Sequence, residues 1–479
     1  MTDMDFKQIE PKNPGVLIEQ GPDEWQILQR QADGTAIARM SGTWNPEGPT
    51  EGVFVQGRAV LEETGESIVG WTDAQIGCDS TWTLDLTLPE GGLYRIETCL
   101  SSIDPNLAIG SRRGDMIHHI GVGDVFVIAG QSNAAGYGKD PIADPPEIGI
   151  HFLGNDLRWH LATHPLNEST GTRHPANREG GNPGHSPWLS FARRLRHGIG
   201  VPVGLVQYAL GGSPLSDWNP EEEGTLYRNL LEILGMLPQN GACGSGKRIR
   251  GMLWYQGCSD AFIGTSDSYL DRFGRFVSHL RQDLRDPTLP FLTVQIGRYV
   301  GPTEGEYGDG WGKVREAQRR AVHTIPGVAV VPSLDLPLSD AIHLSSAGNL
   351  VLGERAAKAV LGAFYLKGNK YRAPEPVSAI RDGEGRIRVT FDPVTECMNG
   401  FALLPELAPF VAERSDGLRL VPVAVDYSGK NEVLLAFESD PGSGCHLHGA
   451  FRVNPYPVLP IDEGTRLPML SFFGFRVDD

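Results

Sequence analysis

Two short stretches of this chain hold residue types suited to acyl transfer. Ser132 lies in Gly130-Gln131-Ser132-Asn133-Ala134-Ala135-Gly136, and far downstream Asp340 and His343 stand three residues apart in Ser339-Asp340-Ala341-Ile342-His343. A serine hydroxyl becomes a nucleophile when a base accepts its proton, and a histidine base works best when a carboxylate fixes its tautomer. The D-x-x-H spacing lets both side chains face one cleft from a single loop. Taken singly, each motif is ordinary, because Ser commonly caps a helix and Asp commonly caps a turn. Their meaning depends on the elements that carry them.

Those elements alternate. Five apolar runs read as buried strands: Val125–Ala129, Val203–Ala209, Ile249–Tyr255, Pro290–Ile296 and Val328–Pro332. Helical spacing of apolar residues follows at Trp188–His197, Leu226–Leu237, Tyr269–Arg285, Lys313–His323 and Ser346–Tyr365. Strand–helix alternation of this kind predicts an α/β domain with a parallel sheet and helices on both faces. Ligands of such sheets bind beyond the carboxyl ends of the strands. The residues there are the GQSN turn, Gly211-Gly212-Ser213 with Trp218, Gln256-Gly257-Cys258-Ser259-Asp260, Gly297-Arg298-Tyr299, and the Asp340/His343 loop. All the chemistry-bearing residues are thus expected on one edge of one sheet.

Four motifs in this order, GQSN, GGS…W, WYQG and D-x-x-H, resemble the SGNH-hydrolase superfamily, in its branch of sialate O-acetylesterase-like and acetylxylan-esterase-like carbohydrate esterases. The tail segment FRVNPYPVLPIDEGTRLP is similar to the C-terminal β region of the sialate O-acetylesterases. The resemblance implies a three-layer, flavodoxin-like fold. It also implies Ser132 as nucleophile, His343 as general base and Asp340 as its orienting group. The oxyanion hole it implies consists of the Ser132 backbone N–H, a backbone N–H of Gly211-Gly212 (Gly212 favoured) and the Gln256 side-chain amide. Gln131, Trp218 and Arg298 are expected to contact substrate, with Tyr137 as a further wall. Two positions depart from the family pattern: Ala134 stands where Met is usual, and Cys258 stands where the third motif usually carries Glu. Cys258 is expected to be a buried or pocket-lining thiol, and Asp260 to position its loop.

Other patterns carry less. Gly241–Lys247 spells G-x-x-x-x-G-K, but Arg248 follows and a helix precedes, so it is read as a connection and not a phosphate loop. His118-His119, His160/His164 and Cys445-His446-Leu447-His448 lack the spacing of a closed zinc site, so no metal is expected. No cofactor is implied. No G-x-S-x-G elbow is present, which argues against a lipase-type hydrolase. The segment His160–Pro187, rich in Asn, Gly, His and Pro, is long for a loop and is expected to wall the site.

The 479 residues carry 42 Lys+Arg against 59 Asp+Glu, a net charge of −17. That balance argues against nucleic acid as a partner, since phosphate contacts need a basic surface. No apolar run approaches ~18 residues, so no membrane span is expected. The sequence opens without a basic stretch leading into an apolar one, and six scattered cysteines show no C-x-x-C pair, so a cytoplasmic protein with free thiols is expected.

Three regions follow: a β-rich N-terminal domain over 1–117, the catalytic domain over 118–368, and a β-rich C-terminal domain over 369–479. The function expected is a serine esterase acting on O-acetylated mono- or oligosaccharides, from sialic acid or xylan, through an acetyl-serine. The alternatives are an esterase for other acyl or lipid substrates, and a catalytically impaired carbohydrate-binding protein. The oligomeric state is left open.

Overall fold

The computed structural model describes residues 15–45, 51–102, 112–173, 178–179, 183–239, 246–262, 264–301, 308–368, 370–400, 404, 407–427 and 429–479. The five apolar runs all form strands, and they pair in the order Val203–Gln207, Arg112–Gly130, Gly251–Tyr255, Phe291–Gln295, Val328–Pro332, every pair parallel. The first of them in sequence thus lies second in space, with the chain winding outward to either side of it. That reversal opens a crevice at the carboxyl ends of the neighbouring strands.

One parallel strand escaped the sequence reading. Ile150–Leu153 adds beside Val203–Gln207, and Trp159–Leu161 turns back antiparallel against it. Four residues followed by a Gly-Asn turn are too short to show a period. Helix bounds agree closely with the apolar spacing: Trp188–Ile199, Thr225–Met236, Tyr269–Asp283, Gly310–Thr324 and Ser346–Tyr365. Ser345 starts the last of these, its side chain accepting the Gly348 N–H.

The sheet does not stop at the catalytic region. Arg112–Gly130 is one continuous strand of 19 residues, and the expected boundary at 117/118 falls inside it. Its first half pairs antiparallel with Gly91–Ser102, and Ile27–Gln29 lies parallel beside Gly121–Gly123. Trp82, Leu84, Leu86 and Leu88 alternate inward along Thr81–Pro89, as their period of two requires, and join an N-terminal core with Ala36, Ala38 and Ile96. A third core gathers Ile387, Val389, Phe391, Phe410, Leu435 and Phe472 from the antiparallel strands that follow residue 374. Part of the 241–247 segment, with Cys243, falls outside the described residues.

A buried cation joins this third unit to the catalytic sheet. Arg315 is 0% exposed, and its guanidinium donates to the carbonyls of Ile296 (3.0 Å), Gly297 (2.6 Å), Ala450 (3.1 Å) and Arg452 (2.7 Å). Gln295 adds a reciprocal pair with the Ser471 backbone at 2.9 and 2.8 Å. Buried polar groups are tolerable only when bonded, so these ties specify one docking geometry. No helix among the described residues is long and apolar enough to cross a membrane.

Candidate active site

The carboxyl edge of the sheet brings Ser132 and His343 together across 211 positions of sequence. Ser132 opens the short helical turn Ser132–Ala135, directly after the central strand. Its Oγ lies 2.8 Å from His343 Nε2, and His343 Nδ1 lies 2.7 Å from Asp340 Oδ2. An ionised carboxylate can only accept, so Nδ1 holds the ring proton and Nε2 is left to accept from the serine. Asp340 Oδ1 accepts the backbone N–H groups of Ile342 and His343 at 2.9 and 2.8 Å, which closes the loop into a rigid turn. Burial opposes ionisation of Asp340. The His343 bond and those two N–H groups outweigh it and hold the carboxyl below the usual carboxylate range.

Asn133, next to the serine, grips the histidine loop from the other side. Its Nδ2 donates to the Ile342 carbonyl at 3.1 Å and its Oδ1 accepts the Leu344 N–H at 3.0 Å. The sequence reading assigned it no role, although its place in GQSN was the available signal. Gln131 ties a different motif: its Oε1 accepts from Gly257 N (3.0 Å) and Ser259 N (3.4 Å). That oxygen therefore braces the third motif and is not open to a sugar hydroxyl.

Two expectations about neighbouring side chains are corrected. Gln256 is 0% exposed, and its amide nitrogen already donates to Asp260 Oδ2 (2.6 Å) and the Ser213 carbonyl (3.2 Å). Both N–H groups are spent on acceptors inside the protein, so none is left for an oxyanion. Trp218 is also 0% exposed. Its indole N–H donates to Ser213 Oγ and its ring packs edge-on against Tyr208 and Trp254, which makes it core beneath the Gly-Gly-Ser turn and not a sugar platform. Arg298 does lie partly open and follows the strand Phe291–Gln295; among the described residues it forms no ion pair and its buried Nε has no hydrogen-bond partner. Burial lowers its pKa from the ordinary value.

The Gly211-Gly212 turn still offers a backbone donor without Gln256. Gly212 takes φ +73°, a conformation L side chains avoid, and its N–H and that of Ser132 bond to nothing among the described residues. Gly211 N–H is instead taken by Glu179 at 2.9 Å. Asp260 is fully buried and accepts from Leu215 N, Arg272 and Thr265 as well as Gln256, so it fixes the third-motif loop as expected. Cys258 is buried. Desolvation pushes its thiol up to about 12 against the pull of Arg315, which leaves it protonated and unreactive.

From the polar insertion, Glu179 reaches Tyr137 and the Gly211-Gly212 turn. Tyr137 stacks on His343 with ring centroids 4.7 Å apart and 26° between planes, and its hydroxyl bonds Glu179 at 2.5 Å. Behind it, His164 and His185, distant in sequence, converge on Asp144 Oδ2 at 3.0 and 3.1 Å. These three form the one group among the described residues with metal-ligand spacing. Arg193 Nη2 lies 2.7 Å from Asp144 Oδ1, so the carboxylate is already neutralised and both imidazoles already donate to it. The carboxylate is thus held by two imidazoles and a guanidinium, while His164 Nδ1 and His185 Nδ1 are buried with no hydrogen-bond partner among the described residues. Elsewhere His118 and His119 bond Glu62, and His160 bonds Asp156.

With this geometry in view, the comparisons decide the family. Residues 122–362, half of the chain, match the carbohydrate esterase family described as sialic acid-specific acetylesterase. The chain belongs to this family. A probable carbohydrate esterase of Arabidopsis thaliana is 32% identical over 260 residues, which cover 50% of this chain and 91% of that protein. The crystal structure of a carbohydrate acetylesterase from Xanthomonas citri aligns over 94% of this chain and 97% of its own, with TM-score 0.63 and 19% identity. That likeness extends the shared fold to the flanking β regions. The protein is thus an SGNH-like carbohydrate esterase built on a mixed α/β sheet with additional β domains.

Proposed function

We propose that this esterase removes O-acetyl groups from sugars through an acetyl-Ser132 intermediate, on a three-layer α/β domain. The observation that carries the reading is the unbroken chain Ser132 Oγ, His343, Asp340, with contacts of 2.8 and 2.7 Å. Ser132 Oγ attacks the acetyl carbonyl as His343 Nε2 takes its proton, and the imidazolium is balanced by Asp340. The tetrahedral oxyanion is held by the Ser132 and Gly212 N–H groups, both without a partner among the described residues. His343 then protonates the departing sugar oxygen, and a water activated by the same nitrogen releases acetate.

The sugar that carries the acetyl group is a sialic acid or a xylan-derived unit. Arg298, whose guanidinium meets no carboxylate among the described residues, favours a substrate with an acidic group; the surplus of acidic residues favours a neutral one. Acetate release from acetylated sialic acids and acetylated xylo-oligosaccharides, compared for wild type and Arg298→Ala, separates them. The test of the mechanism is p-nitrophenyl acetate turnover by wild type and Ser132→Ala. Equal rates would end the proposal. Covalent capture of Ser132 by a fluorophosphonate distinguishes an enzyme from a carbohydrate-binding protein that retains the fold.

A further inference from the structure

Glu179 belongs to the polar insertion and has a carboxylate shared between two parts of the site. Its Oε1 accepts the Tyr137 hydroxyl at 2.5 Å and its Oε2 accepts the Gly211 N–H at 2.9 Å. Its own backbone is fastened to the buried Ser169, whose Oγ accepts the Glu179 N–H at 3.1 Å. A Cβ at position 211 would lie 2.5 Å from Glu179 Oε1, so the carboxylate reaches the turn only because residue 211 is glycine. Tyr137 in turn lies face to face with His343.

We infer that Glu179 is a positioning residue of the esterase site, locking the Gly211-Gly212 turn and the Tyr137–His343 stack into one unit. The reasoning is geometric. Holding Gly211 N–H fixes the Leu210–Gly211 peptide, the one immediately before the peptide that carries the Gly212 N–H. Holding the phenol keeps the Tyr137 ring flat on the imidazole, so that Nε2 stays directed at Ser132. A group that must stabilise charge only in the transition state gains from being fixed beforehand, and a displacement of about 1 Å can cost ~100-fold in rate. Carboxylate is suited to the task because its two oxygens accept from two donors on separate segments, which a hydroxyl or a single amide oxygen does less well.

The inference rests on the esterase reading, and the test keeps the two apart. Steady-state kinetics on p-nitrophenyl acetate are measured for wild type, Ser132→Ala, Glu179→Ala, Glu179→Gln, Tyr137→Phe and the Glu179→Ala/Tyr137→Phe double variant, with thermal unfolding of each. Loss of activity in Ser132→Ala establishes the reading first. Glu179→Ala is then expected to lower kcat about 10- to 100-fold with KM within about twofold. Glu179→Gln, which keeps one oxygen for Gly211, is expected to recover part of the loss. Tyr137→Phe is expected to lower kcat alone but to add nothing in the Glu179→Ala background, because the two act as one unit. Wild-type kcat in Glu179→Ala, a loss confined to KM, or multiplying losses in the double variant would each overturn the inference. Should Glu179→Ala unfold, Glu179→Gln with Tyr137→Phe supplies the same cycle.

Discussion

Asn133 clasps the peptide groups on both sides of His343, donating to the Ile342 carbonyl and accepting from the Leu344 N–H. The residue beside Ser132 therefore holds the loop of the residue that Ser132 is hydrogen-bonded to. Both bonds run to backbone, so the imidazole is located by main-chain position before its side chain chooses a rotamer. Asn133→Ala frees the loop and is expected to lower kcat on p-nitrophenyl acetate by about 10- to 100-fold with KM little changed. Asn133→Asp, which keeps the acceptor for Leu344 but loses the donor to Ile342, is expected to fall between. Wild-type kcat in Asn133→Ala would show that Asp340 orders the loop unaided.

Cys258 occupies the place of the family glutamate, and its position answers whether the thiol does chemistry. It is buried, and desolvation keeps the thiol protonated through neutral pH. Cys258→Ala is expected to retain kcat/KM within about threefold, because a protonated, enclosed thiol supplies no nucleophile. Native protein at pH 8 is expected to protect Cys258 from iodoacetamide, read by peptide mass mapping, while exposed Cys78 is alkylated. A loss of activity of about 100-fold in Cys258→Ala would instead place the sulfur in the reaction.

The Asp144 network sets an acid limit on stability. Burial raises the Asp144 pKa, but His164, His185 and Arg193 together outweigh it and hold the carboxyl well below the usual range. A depressed carboxyl contributes stability above its unfolded pKa of about 3.9, and that contribution is lost as pH falls through its native value. Unfolding free energy is therefore expected to decline steeply below about pH 4 in wild type and less steeply in Asp144→Asn. At pH 7 the same substitution leaves Arg193 facing a neutral amide, with an expected loss of about 3 kcal/mol. Urea denaturation at pH 7 and pH 3.5 checks both; parallel declines in the two proteins would refute the assignment.

Local patterns told much of this in advance. The five long parallel strands are continuous apolar runs because both their faces are covered, and a buried run is visible without any knowledge of its neighbours. Helix bounds followed from apolar spacing, and Ser132, Asp340 and His343 could be singled out because their chemistry demands those residue types. What failed was whatever depended on direction. Trp218 and Gln256 follow strands at the right edge, yet their side chains turn inward, where Ser213 and Asp260 satisfy them. Spacing places a residue at an edge; only packing decides which way it faces.

Asn133 and Glu179 mark the same division. The sequence alone determined the α/β class, the order of the motifs and the choice of Ser132, Asp340 and His343, since each of these is written in short-range pattern and residue chemistry. Tertiary structure alone decided that Asn133 holds the His343 loop, that Gly212 rather than Gln256 has an N–H to offer, and that Asp144 gathers two distant histidines. The physical reason is that a hydrogen bond has a direction and one partner per donor. Which donors remain unspent is known only when every neighbour has been placed.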